Sequence, residues 1–92
     1  VIGLTKAVAL EQATGGIRIN TVCPGLIQTD MVDRAFGKDD ESEAKVQIVA
    51  AHPISRIGQP EEVANAVVWL CSDAASFITG HSLTMDGGYT VQ

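Results

Sequence analysis

The stretch GIRINTVCPGLIQT, residues 16–29, decides how the rest of the chain is interpreted. Ile17, Ile19 and Cys23 can share one face of a β-strand while Arg18, Asn20 and Val22 take the other. Pro24-Gly25 predicts a turn directly after this strand. Open parallel sheets bind ligands beyond the carboxyl ends of their strands. Most Pro-Gly turns serve only the fold, so the turn by itself indicates a candidate ligand-binding rim and nothing more specific.

Helices and strands alternate on both sides of this strand. The sequence predicts a helix over 1–14 ended by Gly15-Gly16, a short helix over 42–52 ended by Pro53, a helix over 60–72 that begins at Pro60-Glu61-Glu62, a strand over 82–85 and a turn over 86–89. This order is typical of an α/β protein with a doubly wound parallel sheet. Because the helical pattern is already under way at Val1, we expect residues 1–92 to be a single fragment of a larger domain.

The segment from about residue 26 to residue 58 is long for a connection between a strand and the next helix. Long loops at a sheet rim are often lids, so this segment is predicted to be a helical substrate lid. Its apolar side chains indicate a modestly apolar substrate, although core packing explains each of them as well: Met31, Val32, Phe36, Val46 and Val49. The acidic run 39–43 is interpreted as the solvated start of the short helix.

Composition argues against several classes of function. The 92 residues carry a formal net charge of −5 and their basic residues are scattered, so no nucleic-acid partner is expected. The apolar stretch 63–72 is too short to cross a bilayer, so no membrane anchor is predicted. Cys23 and Cys71 lie far apart, and His52 and His81 are not at metal-ligand intervals, so neither a disulfide nor a metal site is predicted. Two lone thiols indicate a reducing, cytoplasmic setting.

Several short motifs, in register along nearly the whole chain, resemble one protein family. Residues 3–6 (GLTK), 16–20 (GIRIN) and 24–29 (PGLIQT) are similar to the segment that follows the active-site motif of the short-chain dehydrogenases/reductases. Further motifs resemble the C-terminal part of that family in the same order, namely 57–64 (IGQPEEVA), 78–80 (ITG) and 86–89 (DGGY). The chain is therefore identified as the C-terminal part of a short-chain dehydrogenase/reductase.

This resemblance implies a Rossmann-type sheet and a homo-oligomeric enzyme, a tetramer or a dimer, that uses NAD or NADP to oxidise a small alcohol or reduce a ketone. Pro24 and Gly25 would line the nicotinamide pocket, and the Ile27 backbone would hold the carboxamide. Thr29 would hydrogen-bond the carboxamide or the pyrophosphate. On chemical grounds alone, the amides of Leu26 and Ile27 and the Thr29 hydroxyl are suitable donors for a planar carboxamide or a phosphate.

No catalytic residue is expected within residues 1–92, because the family's catalytic Ser, Tyr and Lys and its phosphate-binding loop precede the position of Val1. Tyr89 and Lys6 lie outside the Tyr-x-x-x-Lys motif, so neither takes its role. The chain alone is therefore predicted to be inactive, while supplying cofactor orientation and a lid to the intact enzyme. One alternative is a 3-oxoacyl-carrier-protein reductase, which the acidic lid disfavours. Another, from a different class, is a non-catalytic association module.

Overall fold

A parallel pair of short strands organises the structure. In the computed structural model, which describes residues 1–92, β1 (Thr21–Pro24) pairs with β2 (Ser82–Met85) in the register Thr21 to Ser82 and Pro24 to Met85. The connection between them contains three helices, α2 (Asp30–Phe36), α3 (Glu43–Ala50) and α4 (Pro60–Leu70), and α1 (Ile2–Gln12) precedes the pair. Parallel strands need such a crossover connection, so the predicted α/β organisation is confirmed.

The helix bounds differ from the prediction mainly at the ends. Helix α1 ends at Gln12, and a 3₁₀ turn (Ala13–Gly15) leads to Gly16, whose positive φ of 82° ends the helix as predicted. The predicted 42–52 helix is shorter because the Ser42 hydroxyl caps it by accepting the Lys45 amide. The predicted 60–72 helix ends at Leu70, and β2 matches its predicted bounds.

Helix α2 is absent from the sequence-based prediction. Thr29 begins it with an extended backbone, acidic Asp30 and Asp33 occupy its first turn, and the Gly37 amide closes it by donating to the Asp33 carbonyl. Acids in the first turn and a glycine beyond the last are ordinary helix signals. The helix was missed because its seven residues are too few to produce a clear apolar periodicity.

The strand predicted to begin near Ile17 begins only at Thr21, because residues 17–20 bond to a loop instead of to β2. Asn20 donates from Nδ2 to the Ile78 carbonyl over 3.0 Å and accepts the His81 amide at Oδ1 over 3.0 Å. Arg18 donates to the same Ile78 carbonyl and to the Ser72 carbonyl. Asn20 thus ties the chain that enters β1 to the loop around Ile78.

Few side chains are fully buried in this chain. The apolar ones are Ala9, Val32, Leu70 and Ala75, and the polar ones are Thr5, Lys45 and His52. Large apolar side chains remain exposed on α1 and α4, among them Leu4, Leu10, Val68 and Trp69. No helix combines the length and apolar character that crossing a membrane requires.

Gly25 lies where the turns after the two strands meet. Its amide donates to the Met85 carbonyl over 2.9 Å and extends the ladder by one residue. A Cβ atom at Gly25 would stand 2.8 Å from the Cβ of Asp86 and 3.0 Å from its Cα. The close approach that requires glycine here is therefore that of Asp86, on the neighbouring strand's turn.

We expect Gly25→Ala to destabilise the fold by about 1–3 kcal/mol, because the added methyl group forces the two turns apart. Equilibrium urea denaturation of the full-length protein measures the loss. Gly3→Ala is the matched control, since a Cβ there meets open space within α1 and alanine favours a helix. A Gly25→Ala protein as stable as the wild type would contradict this account of the junction.

Candidate functional site

The predicted site residues lie together on the chain as it leaves the carboxyl end of β1. Ile27 forms an isolated parallel bridge with Gly58: the Gly58 amide donates to the Leu26 carbonyl over 3.0 Å, and the Gln28 amide donates to the Gly58 carbonyl over 2.8 Å. In a parallel bridge of this kind, the residue that lies between the two bonded positions directs its own N–H and C=O groups away from the partner segment. The amide and carbonyl of Ile27 therefore point away from Gly58 and have no partner in the chain.

The sequence produces this bridge through a glycine. A Cβ atom at Gly58 would stand 2.8 Å from Cδ1 of Ile27, so a larger residue would push the Ile27 side chain away. The family motif that contains Gly58 was recognised from the sequence, but this contact was not. The contact is with the tip of a flexible side chain, so the two backbone hydrogen bonds of Gly58 are what hold this segment in place.

Three hydrogen-bonding groups of the predicted set are free. The amides of Leu26 and Ile27 donate to nothing in the chain, and the Thr29 hydroxyl makes no hydrogen bond even though Thr29 begins α2. The Thr29 carbonyl is engaged by the amides of Val32 and Asp33, which holds this residue in place. Pro24 and Gly25 precede this group and are exposed. The structure therefore brings all five predicted residues into one turn whose free donors are available to a ligand.

A mostly apolar cavity of about 200 Å³ lies on the Gly58 side of this turn. Leu26, Ile27, Val63 and Met85 contribute its apolar wall. His52 also lines it, but its Nδ1 lies 2.7 Å from the Ile48 carbonyl and its ring packs against Tyr89 with centroids 4.9 Å apart. These contacts give His52 a structural role.

The strongest electrostatic feature near the turn is the pair of Arg56 and Glu62. The guanidinium donates twice, from Nη1 to Oε1 over 2.6 Å and from Nη2 to Oε2 over 2.9 Å. Oε1 also accepts the Gln59 amide, which completes a capping box at the start of α4. Hydrogen bonding by Arg56, followed by the Gln59 amide, lowers the pKa of Glu62 from 4.5 to about 2. This pair was not predicted from the sequence, although Gln59 and Glu62 stand at capping-box spacing.

The turn after β2 is held by its own carboxylate. Asp86 accepts the Gly88 amide at Oδ1 over 3.1 Å and the Thr90 amide at Oδ2 over 3.0 Å. Hydrogen bonding by Thr90 holds the pKa of Asp86 below its ordinary value. This carboxylate is committed to the turn that supports Gly25, which makes it a structural group.

A larger groove of about 1040 Å³ runs between the lid helices and the segment that leads to α4. Of the five apolar lid residues singled out from the sequence, Val46 and Val49 line this groove. Val32 is buried in the core, and Met31 is exposed away from the groove. Only part of the predicted apolar lid set therefore faces a space that a ligand could fill.

The Arg56 and Glu62 pair predicts a specific dependence of stability on pH. Because the pKa of Glu62 lies below its ordinary value, the pair's contribution is complete above pH 4.5 and is lost as the pH falls towards about 2. Glu62→Gln removes this contribution, so its free energy of unfolding should fall less steeply across that window than that of the wild type. Urea denaturation at a series of pH values measures the slopes. Glu61→Gln is the control: it removes the same charge but no ion pair, so it should keep the wild-type slope. Equal slopes in all three proteins would show that the Arg56 and Glu62 pair does not cause the pH dependence.

Known proteins are similar to this chain in sequence and in fold. Residues 1–90 match the family described as Enoyl-(Acyl carrier protein) reductase. Cyclohexanol dehydrogenase from Acinetobacter sp. (strain SE19) is 52% identical over 90 residues, which are 98% of this chain and 33% of that protein. The structure of 4-hydroxyisoleucine dehydrogenase complexed with NADH matches this chain with a TM-score of 0.87 at 33% sequence identity. The structure of ElxO with NADP bound matches it with a TM-score of 0.84 at 41% sequence identity. Each match covers 99% of this chain and 36% of the other chain.

The chain thus spans about a third of the length of these relatives. The similarity extends over almost all of its own residues, and the relatives carry the Rossmann-type α/β fold that the sequence predicts. On this evidence, the chain belongs to the short-chain dehydrogenase/reductase family.

Proposed function

We propose that residues 1–92 form a single part of an NAD(P)-binding Rossmann-type domain in an oxidoreductase that interconverts a secondary alcohol and a ketone by hydride transfer. The observation that carries this proposal is the group of free donors beyond β1: the amides of Leu26 and Ile27 and the hydroxyl of Thr29. Their position at the carboxyl end of a parallel strand is where doubly wound sheets bind nucleotides.

These residues fit the nicotinamide end of the cofactor. A carboxamide has one acceptor oxygen and one donor NH₂ group, and Ile27 presents a free amide and a free carbonyl on the same side of the chain. Thr29 adds a hydroxyl, which both donates and accepts. Pro24 and Gly25 offer a flat, uncharged approach to the ring. When bound, the nicotinamide supplies the hydride donor or acceptor at its C4 atom.

The chain's own contribution to the reaction is orientation. Hydride transfer requires the ring to present one face to the substrate, and a carboxamide fixed at two points cannot rotate the ring over. We place the proton-transferring groups outside residues 1–92. Two observations support this: Tyr89 packs against His52, and Lys6 has no carboxylate or tyrosine partner.

We assign residues 26–58 the role of a lid over a small alcohol or ketone. Helices α2 and α3 lie within this segment, and Val46 and Val49 give the groove beneath it an apolar lining. Closing such a lid excludes water from a hydride-transfer site. The relative that is named a cyclohexanol dehydrogenase supports a small cyclic or aliphatic secondary alcohol as the substrate class.

A 3-oxoacyl-carrier-protein reductase is the second candidate. The family description, which names an acyl-carrier-protein reductase, favours it. Acidic residues outnumber basic ones in residues 26–58, which disfavours docking of an acidic carrier protein. We further propose a homo-oligomer in a reducing cytoplasm, supported by the half-exposed apolar side chains of α4 and by two free cysteines, Cys23 and Cys71.

Turnover by the full-length protein tests the proposed function. We expect it to oxidise small secondary alcohols with NAD⁺ or NADP⁺, followed by the absorbance of the reduced nicotinamide, while the isolated 92-residue chain stays inactive. Preference for a carrier-protein thioester over a free ketone would support the second candidate. No turnover with either cofactor would refute the hydride-transfer assignment, and turnover by the isolated chain would refute the placement of the catalytic groups outside it.

Thr29→Val should weaken cofactor binding in the full-length enzyme by about 1–3 kcal/mol, because the substitution keeps the shape of the side chain and removes its hydroxyl. Titration of the protein with NADH and NADPH measures the dissociation constants. Thr29→Ser, which keeps the hydroxyl, should bind close to the wild-type affinity. Equal affinities for Thr29→Val and the wild type would remove Thr29 from the proposed site.

A further inference from the structure

Lys45 is the only lysine, arginine or carboxylate residue that the fold buries, with 3% of its surface exposed. It lies on α3, in the middle of the proposed lid. An ammonium group removed from water is costly unless its donors are paired. A buried lysine in a small, mostly exposed lid therefore indicates that its contacts hold specific parts of the lid together.

The Lys45 ammonium meets three oxygen atoms from three places in the chain. Its Nζ lies 3.0 Å from Oδ1 of Asp40, 3.8 Å from Oδ1 of Asp33 and 3.5 Å from the Gly37 carbonyl. Asp33 belongs to α2, Gly37 ends that helix, and Asp40 lies in the loop between α2 and α3. One side chain of α3 thus fixes the other helix of the lid and the loop that joins them.

The Asp40 contact alone does not explain the burial of this lysine. The Asp40 side chain is 90% exposed, and ion pairs with a partner so well solvated contribute little to stability. The Asp33 side chain is only 23% exposed. Asp33 is therefore the less solvated of the two carboxylates, and its contact with Nζ over 3.8 Å is a charge attraction without a hydrogen bond.

Asp33 connects the lid to the proposed cofactor site. The oxygen that faces Lys45, Oδ1, also accepts a hydrogen bond of 2.9 Å from Nε2 of Gln28. Gln28 stands between Ile27 and Thr29, and its amide donates to the Gly58 carbonyl. A continuous series of polar contacts therefore runs from Lys45 on α3, through Oδ1 of Asp33, to Gln28.

We propose that Lys45 is a positioning residue for the nicotinamide, acting through Asp33 and Gln28 on the turn that carries the Ile27 amide and the Thr29 hydroxyl. This inference rests on the proposed function. With the ammonium in place, Asp33 holds the Gln28 side chain and the turn keeps one conformation. Without it, the bond from the Ser42 hydroxyl to the Phe36 carbonyl still joins the two helices, but Asp33 loses the charge that faces it, Gln28 moves with Asp33, and the two donors no longer match a carboxamide.

Cofactor titrations of the full-length enzyme test the proposal. Lys45→Met keeps the length of the side chain and removes its charge, and we expect it to raise the dissociation constants for NADH and NADPH about tenfold, within the range of measured coupling between contacting residues. Lys6→Met is the matched control, because Lys6 is exposed on α1, lies outside the groove and has no ion pair. It should bind with the wild-type affinity.

A double-mutant cycle distinguishes positioning from a general effect on lid stability. If Lys45 acts through Gln28, the combined Lys45→Met and Gln28→Ala enzyme should bind no more weakly than the weaker single variant. Losses that simply add would overturn the proposed route. If Lys45→Met gives no folded protein by circular dichroism, Asp33→Asn carries the same test, with the same loss expected and wild-type affinity as the contradicting result.

The outcomes separate this inference from the function on which it rests. A wild-type enzyme that binds neither NADH nor NADPH removes the proposed function and the inference with it. A wild-type enzyme that binds one of them, together with a Lys45→Met variant of equal affinity, overturns the inference alone.

Discussion

The hydrogen-bonded ladder between β1 and β2 joins parts of the chain that lie about sixty positions apart, and the other features of the molecule take their places from it. Before the ladder begins, Asn20 and Arg18 tie the incoming chain to the loop around Ile78. After it ends, the Gly25 amide adds one more bond, and Asp86 packs against the glycine where no Cβ fits. The contacts before and after the ladder together fix the direction in which the chain leaves β1.

The free donors beyond β1 are a geometric result of a second, smaller parallel contact. When Gly58 bonds to the peptide groups on either side of Ile27, the peptide groups of Ile27 itself must face the other way. Unpaired backbone N–H and C=O groups at a sheet rim cost little free energy while water hydrogen-bonds to them. A ligand that replaces this water can bond to the same groups without a change in the backbone. The same bridge orients Gln28 towards α2, so the turn and the lid share one support.

Much of this molecule could be predicted because its signals are local. Gly15-Gly16, Pro60 and the polar-apolar pattern of β2 each depend on a few neighbouring residues, and the predicted elements formed close to their expected bounds. The turn after β1 was predicted from Pro24-Gly25 and its cofactor role from motif resemblance, and the structure adds the reason why its donors are free. The late start of β1 could not be predicted, because residues 17–20 have a strand pattern and only the distant 78–81 loop diverts them.

The same limit applies to the polar contacts. The Arg56 and Glu62 pair is nearly local, and its capping-box spacing was available in the sequence. The burial of Lys45 was not available, because a lysine beside an acidic run is usually solvated, and only its contacts with Asp33, Gly37 and Asp40 in the folded chain account for its removal from water. Resemblance to a family identifies segments, whereas the role of a single side chain within them depends on three-dimensional neighbours.

The wide separation of β1 and β2 along the chain also has a consequence for the order in which the structure forms. The contacts of Lys45 with Asp33 and Asp40 join residues fewer than fifteen positions apart. In contrast, the junction of Gly25 with Asp86 closes a loop that contains three helices. Loop-closure entropy makes distant parallel pairing slow compared with local contacts. The contacts around Lys45 are thus expected to form before the turn after β1 acquires its final shape.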